Sequence, residues 1–155
     1  MKDLLKSFVY AFSGVWLCIK TERNFRIHMV AAVVVFVFAA LYGVTKTQGA
    51  LLTVICALVI SLEAVNTAIE AAVDLETSQK SRLAKIAKDA AAAAVLISAV
   101  GAVGSAVCIF SDLYRALAVF VTLFTPPRLI FTLIFIGAAL WFIFGIKNNL
   151  KGKDN

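Results

Sequence analysis

Four stretches of this chain are apolar for long enough to cross a bilayer, and short polar segments separate them. The first runs from about Ile27 to Val44, the second from about Ala50 to Val73, the third from about Ala90 to Phe110 and the fourth from about Leu129 to Ile146. A hydrocarbon core of ~30 Å takes about 20 helical residues, so each stretch reads as a membrane-spanning helix. A fifth apolar piece, Leu113 to Phe124, is too short to cross, is interrupted by Arg115 and ends at Pro126-Pro127. It is predicted to be an interfacial or loop segment, after which the proline pair restarts the chain, since proline suits a first helical turn but not a helix interior. Ahead of the first span, Leu5, Phe8, Val9, Phe12, Trp16 and Ile19 recur at helical spacing, with Lys2, Lys6 and Ser13 outside that arc. This is the pattern of an amphipathic helix lying on a membrane surface. The predicted fold is an all-α membrane protein: an N-terminal amphipathic surface helix, a three-span core and a fourth, C-terminal transmembrane helix.

Composition supports the membrane and removes other classes. Of 155 residues, 62% are hydrophobic and 15% charged, against about 25% charged in soluble domains; a soluble domain of this size lacks the interior to hide so many apolar side chains. The net charge is +6, and its distribution explains it. Twelve of fifteen basic residues precede the first span, lie between spans two and three, or follow span four; only Lys46, Arg115 and Arg128 fall in the other two loops. The positive-inside rule makes the basic side cytoplasmic, with both termini inside, and nucleic acid is not needed to explain the charge. The N-terminus lacks the compact apolar core and small cleavage-site residues of a signal peptide. Cys18, Cys56 and Cys108 sit in apolar sequence without metal-binding or CxxC spacing, so they are expected to pack.

The second span carries acids where a bystander helix would not. It contains Glu63, Asn66, Glu70 and Asp74. At about 100° per residue, with Glu63 at zero, Asn66 falls at about −60°, Glu70 at about −20° and Asp74 at about +20°. The four share one stripe, which at ~1.5 Å per residue runs roughly 16 Å toward the cytoplasmic surface. Intramembrane carboxylates normally mark a functional site. Interhelical hydrogen bonding would account for a single Asn, but three acids in register repel unless a cation or donor joins them.

Two further patches lie on the same side. Glu22, in Thr21-Glu22-Arg23-Asn24-Phe25-Arg26, taken alone reads as half of a surface pair with Arg26 four residues on. Lys88-Asp89, taken alone, reads as a solvated helix start. Together, Glu22, Glu70 and Asp74 offer hard oxygen ligands at one membrane surface, suited to Mg²⁺ carrying nucleotide phosphates, and Lys88 adds a point charge for phosphate. Glu63, deeper and less solvated, is placed to act as a base. No GxxxxGK[ST] loop and no soluble-kinase signature is present, so a nucleotide would be held by side chains at helix ends.

The string Glu63-Ala-Val-Asn66-Thr67-Ala68-Ile69-Glu70-Ala-Ala-Val-Asp74 resembles the signature of the small prokaryotic integral-membrane lipid kinases, the diacylglycerol kinase and undecaprenol kinase family. Lys85-Ile-Ala-Lys88-Asp89-Ala-Ala-Ala-Ala-Ala-Val95 is similar to its second motif, and Lys6-Ser7-Phe8 with the Thr21–Arg26 segment to its N-terminal region. The resemblance covers about residues 4 to 110. It implies a homotrimer of three-span subunits in the bacterial cytoplasmic membrane, transferring the γ-phosphoryl group of Mg-ATP to a lipid hydroxyl. By position it implies Glu63 as general base supported by Asn66, Glu22 and Glu70 as metal-holding residues that also contact ATP, and Asp74, Lys88, Asp89 and Tyr10 as further ATP contacts. Phosphoryl transfer needs mostly positioning and charge neutralisation, so this sparse set is chemically sufficient.

Departures from the family refine the expectation. Relatives often carry a His before the Lys-Asp pair, where this chain reads Ser78-Gln79-Lys80-Ser81. At the lipid-side position near the start of span three, Gram-negative-type diacylglycerol kinases have Ser and this chain has Ala92. That Ala, with Thr-Glu-Arg-Asn-Phe, looks more like the Gram-positive-type undecaprenol kinases, so undecaprenol is the expected substrate and diacylglycerol the alternative. Residues 1–110 are expected to form the lipid kinase core and residues 111–155 an extension, whose fourth span is expected to add subunit packing. A small proton-coupled transporter would also need a buried Glu, but near the midplane with access from both sides. Here Glu22, Glu63, Glu70, Asp74 and Asp89, five of nine acids, belong to one cytoplasm-facing group.

Overall fold

The computed structural model describes residues 2–76 and 81–146. The Ser78, Gln79 and Lys80 positions of the loop singled out above, and the tail with Lys147, Lys151 and Lys153, lie outside the described residues. Six helices follow one another: α1 (Lys2–Thr21), α2 (Arg23–Tyr42), α3 (Lys46–Glu76), α4 (Arg82–Ile109), α5 (Leu113–Leu123) and α6 (Pro126–Leu140), the last extended by a single π-helical turn, Trp141–Gly145. Four of these are long and apolar enough to cross a membrane: α2, α3, α4 and α6 with its π turn. The protein is therefore all-α with four candidate transmembrane helices, as the hydrophobic pattern predicts.

The helix ends lie beyond the apolar stretches, and local chemistry explains where. α2 stops at Gly43, which adopts the left-handed conformation (φ 73°) and returns its N–H to the Ala39 carbonyl at 3.0 Å. Such a cap suits glycine because a Cβ is strained there. Two residues later a reciprocal capping box opens α3: the Gln48 N–H donates to Thr45 Oγ1 at 3.3 Å, and the Thr45 N–H donates to Gln48 Oε1 at 2.9 Å. This Thr-x-x-Gln signature starts α3 four residues before its apolar run. Asp112 caps α5 by accepting from the Arg115 N–H at 3.1 Å, and Pro126 and Pro127 occupy the first turn of α6.

α3 and α4 form the most extensive helix pair, antiparallel, with α2 packed on α3. At one end of the bundle Ala39, Leu52 and Ile109 are buried together, flanked by Val35, Val44 and Phe110. Tyr42 meets Phe110 edge to face, with ring centroids 5.1 Å apart, its hydroxyl accepts from the Asp112 N–H, and Arg115 lies over its ring. At the opposite end lie the α1–α2 corner, the last turns of α3, the start of α4 and the π turn that ends α6. α5 and the π turn pack on α2 of the same chain, so the fourth span is tied to the first by direct contact. α1 leaves most of its apolar face exposed, with Leu5, Phe8, Phe12 and Trp16 all outside the core, as a surface helix would.

Candidate functional site

The acid stripe of α3 forms as the helical spacing predicts, and its depth is graded. Glu63 is buried at 4% exposure; Asn66 and Glu70 are half-buried; Asp74 is exposed. Asn66 Nδ2 donates to Glu70 Oε1 at 3.0 Å, one turn further on. The other side-chain atom of Asn66, Oδ1, is buried without a hydrogen-bond partner. Such an orphan acceptor is uncommon in folded proteins and calls for a donor or a cation. Thr67 turns its hydroxyl back onto the Glu63 carbonyl at 3.0 Å, leaving the Glu63 carboxyl free of that contact.

The corner between α1 and α2 supplies the next acid. Glu22 sits in extended backbone between the two helices, and its carboxylate lies near enough to Glu63, as does that of Glu70, for both to act on it electrostatically. Cys18, in the last full turn of α1, is buried at the same place, with the Thr67 side chain beside it. Burial pushes the Cys18 thiol above its ordinary range; the Thr67 side chain pulls it back, and the Glu22 and Glu63 carboxylates push it further up. All three cysteines are free thiols, and only Cys18 is buried; Cys108 is exposed. The packing role expected of all three therefore does not extend to Cys108 within this chain.

α4 brings up the basic partner. Lys88 Nζ reaches across to Asp74 Oδ1 at 2.5 Å, linking the end of the acid stripe to the start of α4. Asp89 points elsewhere, pairing with Lys85 on its own helix at 3.0 Å. Lys88-Asp89 is thus more than a solvated helix start, because one member joins two helices.

The site therefore gathers Glu22, Glu63, Asn66 and Glu70, with Asp74 and Lys88 as a bridged pair at its exposed edge. Tyr10, 73% exposed on α1, and Ala92, exposed on α4, are not brought to it within the single chain. Neither is Asp89. The surface pair with Arg26 that the spacing offers when Glu22 is taken alone is not formed. Arg26 is 2% exposed and turns its guanidinium onto backbone carbonyls instead, Ile19 at 2.7 Å and Ile143 at 3.1 Å. Its first-turn position in an apolar helix was a cue to burial, but nothing in the local sequence announces a partner 117 positions away. Cys18 and Thr67 also border the site and carry no sequence signal beyond their helical phase.

The donor set is hard oxygen throughout. Among the described residues no three Asp, Glu, His or Cys side chains converge on a metal position. Two carboxylates, Glu22 and Glu70, with the orphaned Asn66 Oδ1 between Glu63 and Glu70, match what Mg²⁺ accepts, since that ion keeps several waters and takes one or two protein carboxylates beside phosphate oxygens.

Comparison with known proteins gives the family. The family model for prokaryotic diacylglycerol kinase matches residues 9–110. An undecaprenol kinase of Bacillus subtilis is 44% identical over 85 residues, which is 55% of this chain and 69% of that protein. A diacylglycerol kinase of Synechocystis is 45% identical over 77 residues, 50% of this chain and 44% of that protein. A diacylglycerol kinase of Pseudomonas aeruginosa is 32% identical over 85 residues, 55% of this chain and 69% of that protein. No solved structure matches the chain. With the acid stripe of α3, the Lys88 bridge and the Glu22 corner all inside the matched residues, the chain belongs to the prokaryotic diacylglycerol kinase family of membrane lipid kinases.

Proposed function

We propose that this protein phosphorylates undecaprenol, using ATP as its magnesium complex, at the cytoplasmic face of the bacterial plasma membrane. The observation that carries the reading is the graded stripe on α3. A buried Glu63 is followed along the same helix face by the hydrogen-bonded pair Asn66 and Glu70 and then by an exposed Asp74 that Lys88 meets from α4. One end of the stripe faces a lipid-soluble alcohol and the other a water-soluble nucleotide.

Each residue then has a task set by its depth. Glu63 accepts the proton of the lipid hydroxyl as its oxygen attacks the γ-phosphorus, and ADP leaves with the electrons of the broken phosphoanhydride bond. Asn66 keeps Glu70 oriented through its amide and offers Oδ1 to the incoming hydroxyl or to a hydrated cation. Glu22 and Glu70 would hold Mg²⁺, which supplies neutralisation of phosphate charge when bound. Lys88, released from or shared with Asp74, contacts a phosphate as a point charge; Asp74 limits how far it swings. Asp89 and Tyr10 are assigned to the nucleotide on the resemblance alone. So is the homotrimer, in which a neighbouring subunit would bring Tyr10, Asp89 and Ala92 to a site that one chain leaves incomplete.

The twelve basic residues on one side support the cytoplasmic assignment of both termini and of the site. Residues 1–110 are the catalytic core in this reading and residues 111–155 an extension of it. Undecaprenol is preferred over diacylglycerol because Ala92 stands where the Gram-negative-type enzymes carry Ser, and because an undecaprenol kinase is among the relatives at 44% identity. Diacylglycerol is the second reading, supported by a relative of that name at 45% identity. Purified protein in mixed micelles, offered both lipids in parallel with Mg²⁺ and ATP, tests the choice. Faster transfer to undecaprenol is the expected result. Faster transfer to diacylglycerol would keep the chemistry and overturn the substrate.

A further inference from the structure

The corner that carries Glu22 is held from three sides, and one of them is the C-terminal extension. The Glu22 N–H donates to the Cys18 carbonyl at 2.8 Å, and its own carbonyl accepts from the Arg26 N–H at 3.4 Å. Arg26 is one of the two buried charged residues among the described residues. A buried guanidinium has to satisfy its donors, and this one does so on backbone oxygens. Nη1 donates to the Ile19 carbonyl at 2.7 Å and to the Lys20 carbonyl at 3.4 Å, while Nε donates to the Ile143 carbonyl at 3.1 Å. Ile19 and Lys20 end α1, where orphan carbonyls and the negative end of the helix dipole both favour a cation. Ile143 lies inside the π-helical turn that closes the fourth span, again among the last carbonyls of a helix.

We propose that Arg26 is a positioning residue through which the fourth span sets the place of Glu22, and with it the affinity of the site for the magnesium–nucleotide complex. The inference rests on the assignment of Glu22 to the metal. The guanidinium is planar and rigid, so the α1 carbonyls and the Ile143 carbonyl are fixed relative to one another through one side chain. Glu22, four residues before Arg26 and between the two anchored segments, has its backbone defined by the same group. The extension lies outside the residues that match the family model, 9–110, whereas Arg26 and Glu22 lie within them.

Two full-length variants approach the contact from opposite ends. Arg26→Lys keeps the charge, but one ammonium cannot present a fork to Ile19 and Ile143 together. Gly145→Val leaves Arg26 untouched and carries the test should Arg26→Lys lower the yield of folded protein. A Cβ at position 145 would come within 2.9 Å of the Trp141 ring, so the ring or the π turn that carries it has to give. Glu22→Ala runs in parallel as the reference. The readouts are the half-saturating Mg²⁺ concentration, kcat at saturating Mg²⁺, and the rate at which a soluble maleimide labels Cys18 when Cys56 and Cys108 are replaced by Ser.

Both variants are expected to raise half-saturating Mg²⁺ by about tenfold, equivalent to about 1.4 kcal/mol, while kcat at saturating Mg²⁺ is retained. Cys18 labelling should accelerate in both, because α1 is no longer pinned. The double variant should be no worse than the poorer single one, since both break the same contact. Unchanged Mg²⁺ dependence in both variants, with a shift in Glu22→Ala, would overturn the inference and leave the Glu22 assignment standing. No shift in any of the three would remove Glu22 from the metal and the inference with it. A fall in kcat at all Mg²⁺ concentrations without a shift in half-saturation would mean that Arg26 only holds the fold together, which also overturns it.

Discussion

Lys88 on α4 bridges to Asp74 on α3, Nζ to Oδ1 at 2.5 Å, at the point where the acid stripe reaches the exposed edge of the bundle. The two side chains are 35% and 67% exposed. A pair as open as this contributes little to stability, and in the proposed reading it stands where the nucleotide phosphates bind. Lys88→Met is expected to raise the KM for ATP by about tenfold or more, the scale of a lost charge-assisted hydrogen bond, with little change in thermal stability in detergent. A large loss of stability with an unchanged KM would make the bridge a structural clamp.

Glu22 and Glu70 are two carboxylates that bear on Glu63 from opposite directions in the chain, one from the α1–α2 corner and one from the next turns of α3. Glu22→Ala and Glu70→Ala are each expected to shift the Mg²⁺ titration of activity to higher concentration. Glu70→Ala also strips Asn66 Nδ2 of its acceptor and should be the more damaging. Superimposable Mg²⁺ titrations for both variants and the parent would remove the pair from the metal.

Cys18 reports on the same corner. Its thiol is buried, and burial together with Glu22 and Glu63 holds it above the ordinary thiol range against the smaller opposing effect of Thr67. A raised value means that less thiolate exists at neutral pH than in a free cysteine, and that the thiolate grows in only as pH rises through the raised value. With Cys56 and Cys108 replaced by Ser, maleimide should label Cys18 at least about tenfold more slowly than a free cysteine in solution at pH 7, with the gap narrowing at alkaline pH. Glu22→Ala should speed Cys18 labelling by removing one like charge. A rate equal to that of the free cysteine would contradict both the burial and the charge environment.

Much of this architecture was legible before any coordinates, because lipid imposes long apolar helices and basic residues stand out between them. The stripe Glu63–Asn66–Glu70–Asp74 follows from helical phase alone. What sequence could not supply were contacts between distant segments. Arg26 read as a surface partner of Glu22, because i,i+4 spacing is visible and Ile143 is not. Hydropathy marks the apolar stretches and not the helix ends: α3 starts at Lys46 because Thr45 and Gln48 cap each other, and α4 starts at Arg82 although its first turns are charged. Tyr10, Asp89 and Ala92 are named by the resemblance alone and stand outside the site of one chain, which sequence without coordinates does not reveal.

Gly43 makes the tightest test of the local backbone. Its φ of 73° is the single positive value among the described residues. Gly43→Ala is expected to destabilise the protein by about 1 kcal/mol, the scale of strain for an L-residue in left-handed backbone, with the Arg115 guanidinium only in ordinary contact distance at 3.5 Å. Thermal unfolding in detergent would show it, and an unchanged midpoint would mean that the α2–α3 turn relaxes freely.

The central claim is that Glu63 takes the proton from the lipid hydroxyl. The most direct measurement is the turnover of Glu63→Gln beside its affinity for Mg-ATP, both in the same micelles. Turnover reduced by about 10²–10⁴-fold, the range of general-base catalysis, with nucleotide affinity retained, is the predicted result. Retained turnover, or nucleotide affinity lost in proportion to turnover, would contradict it.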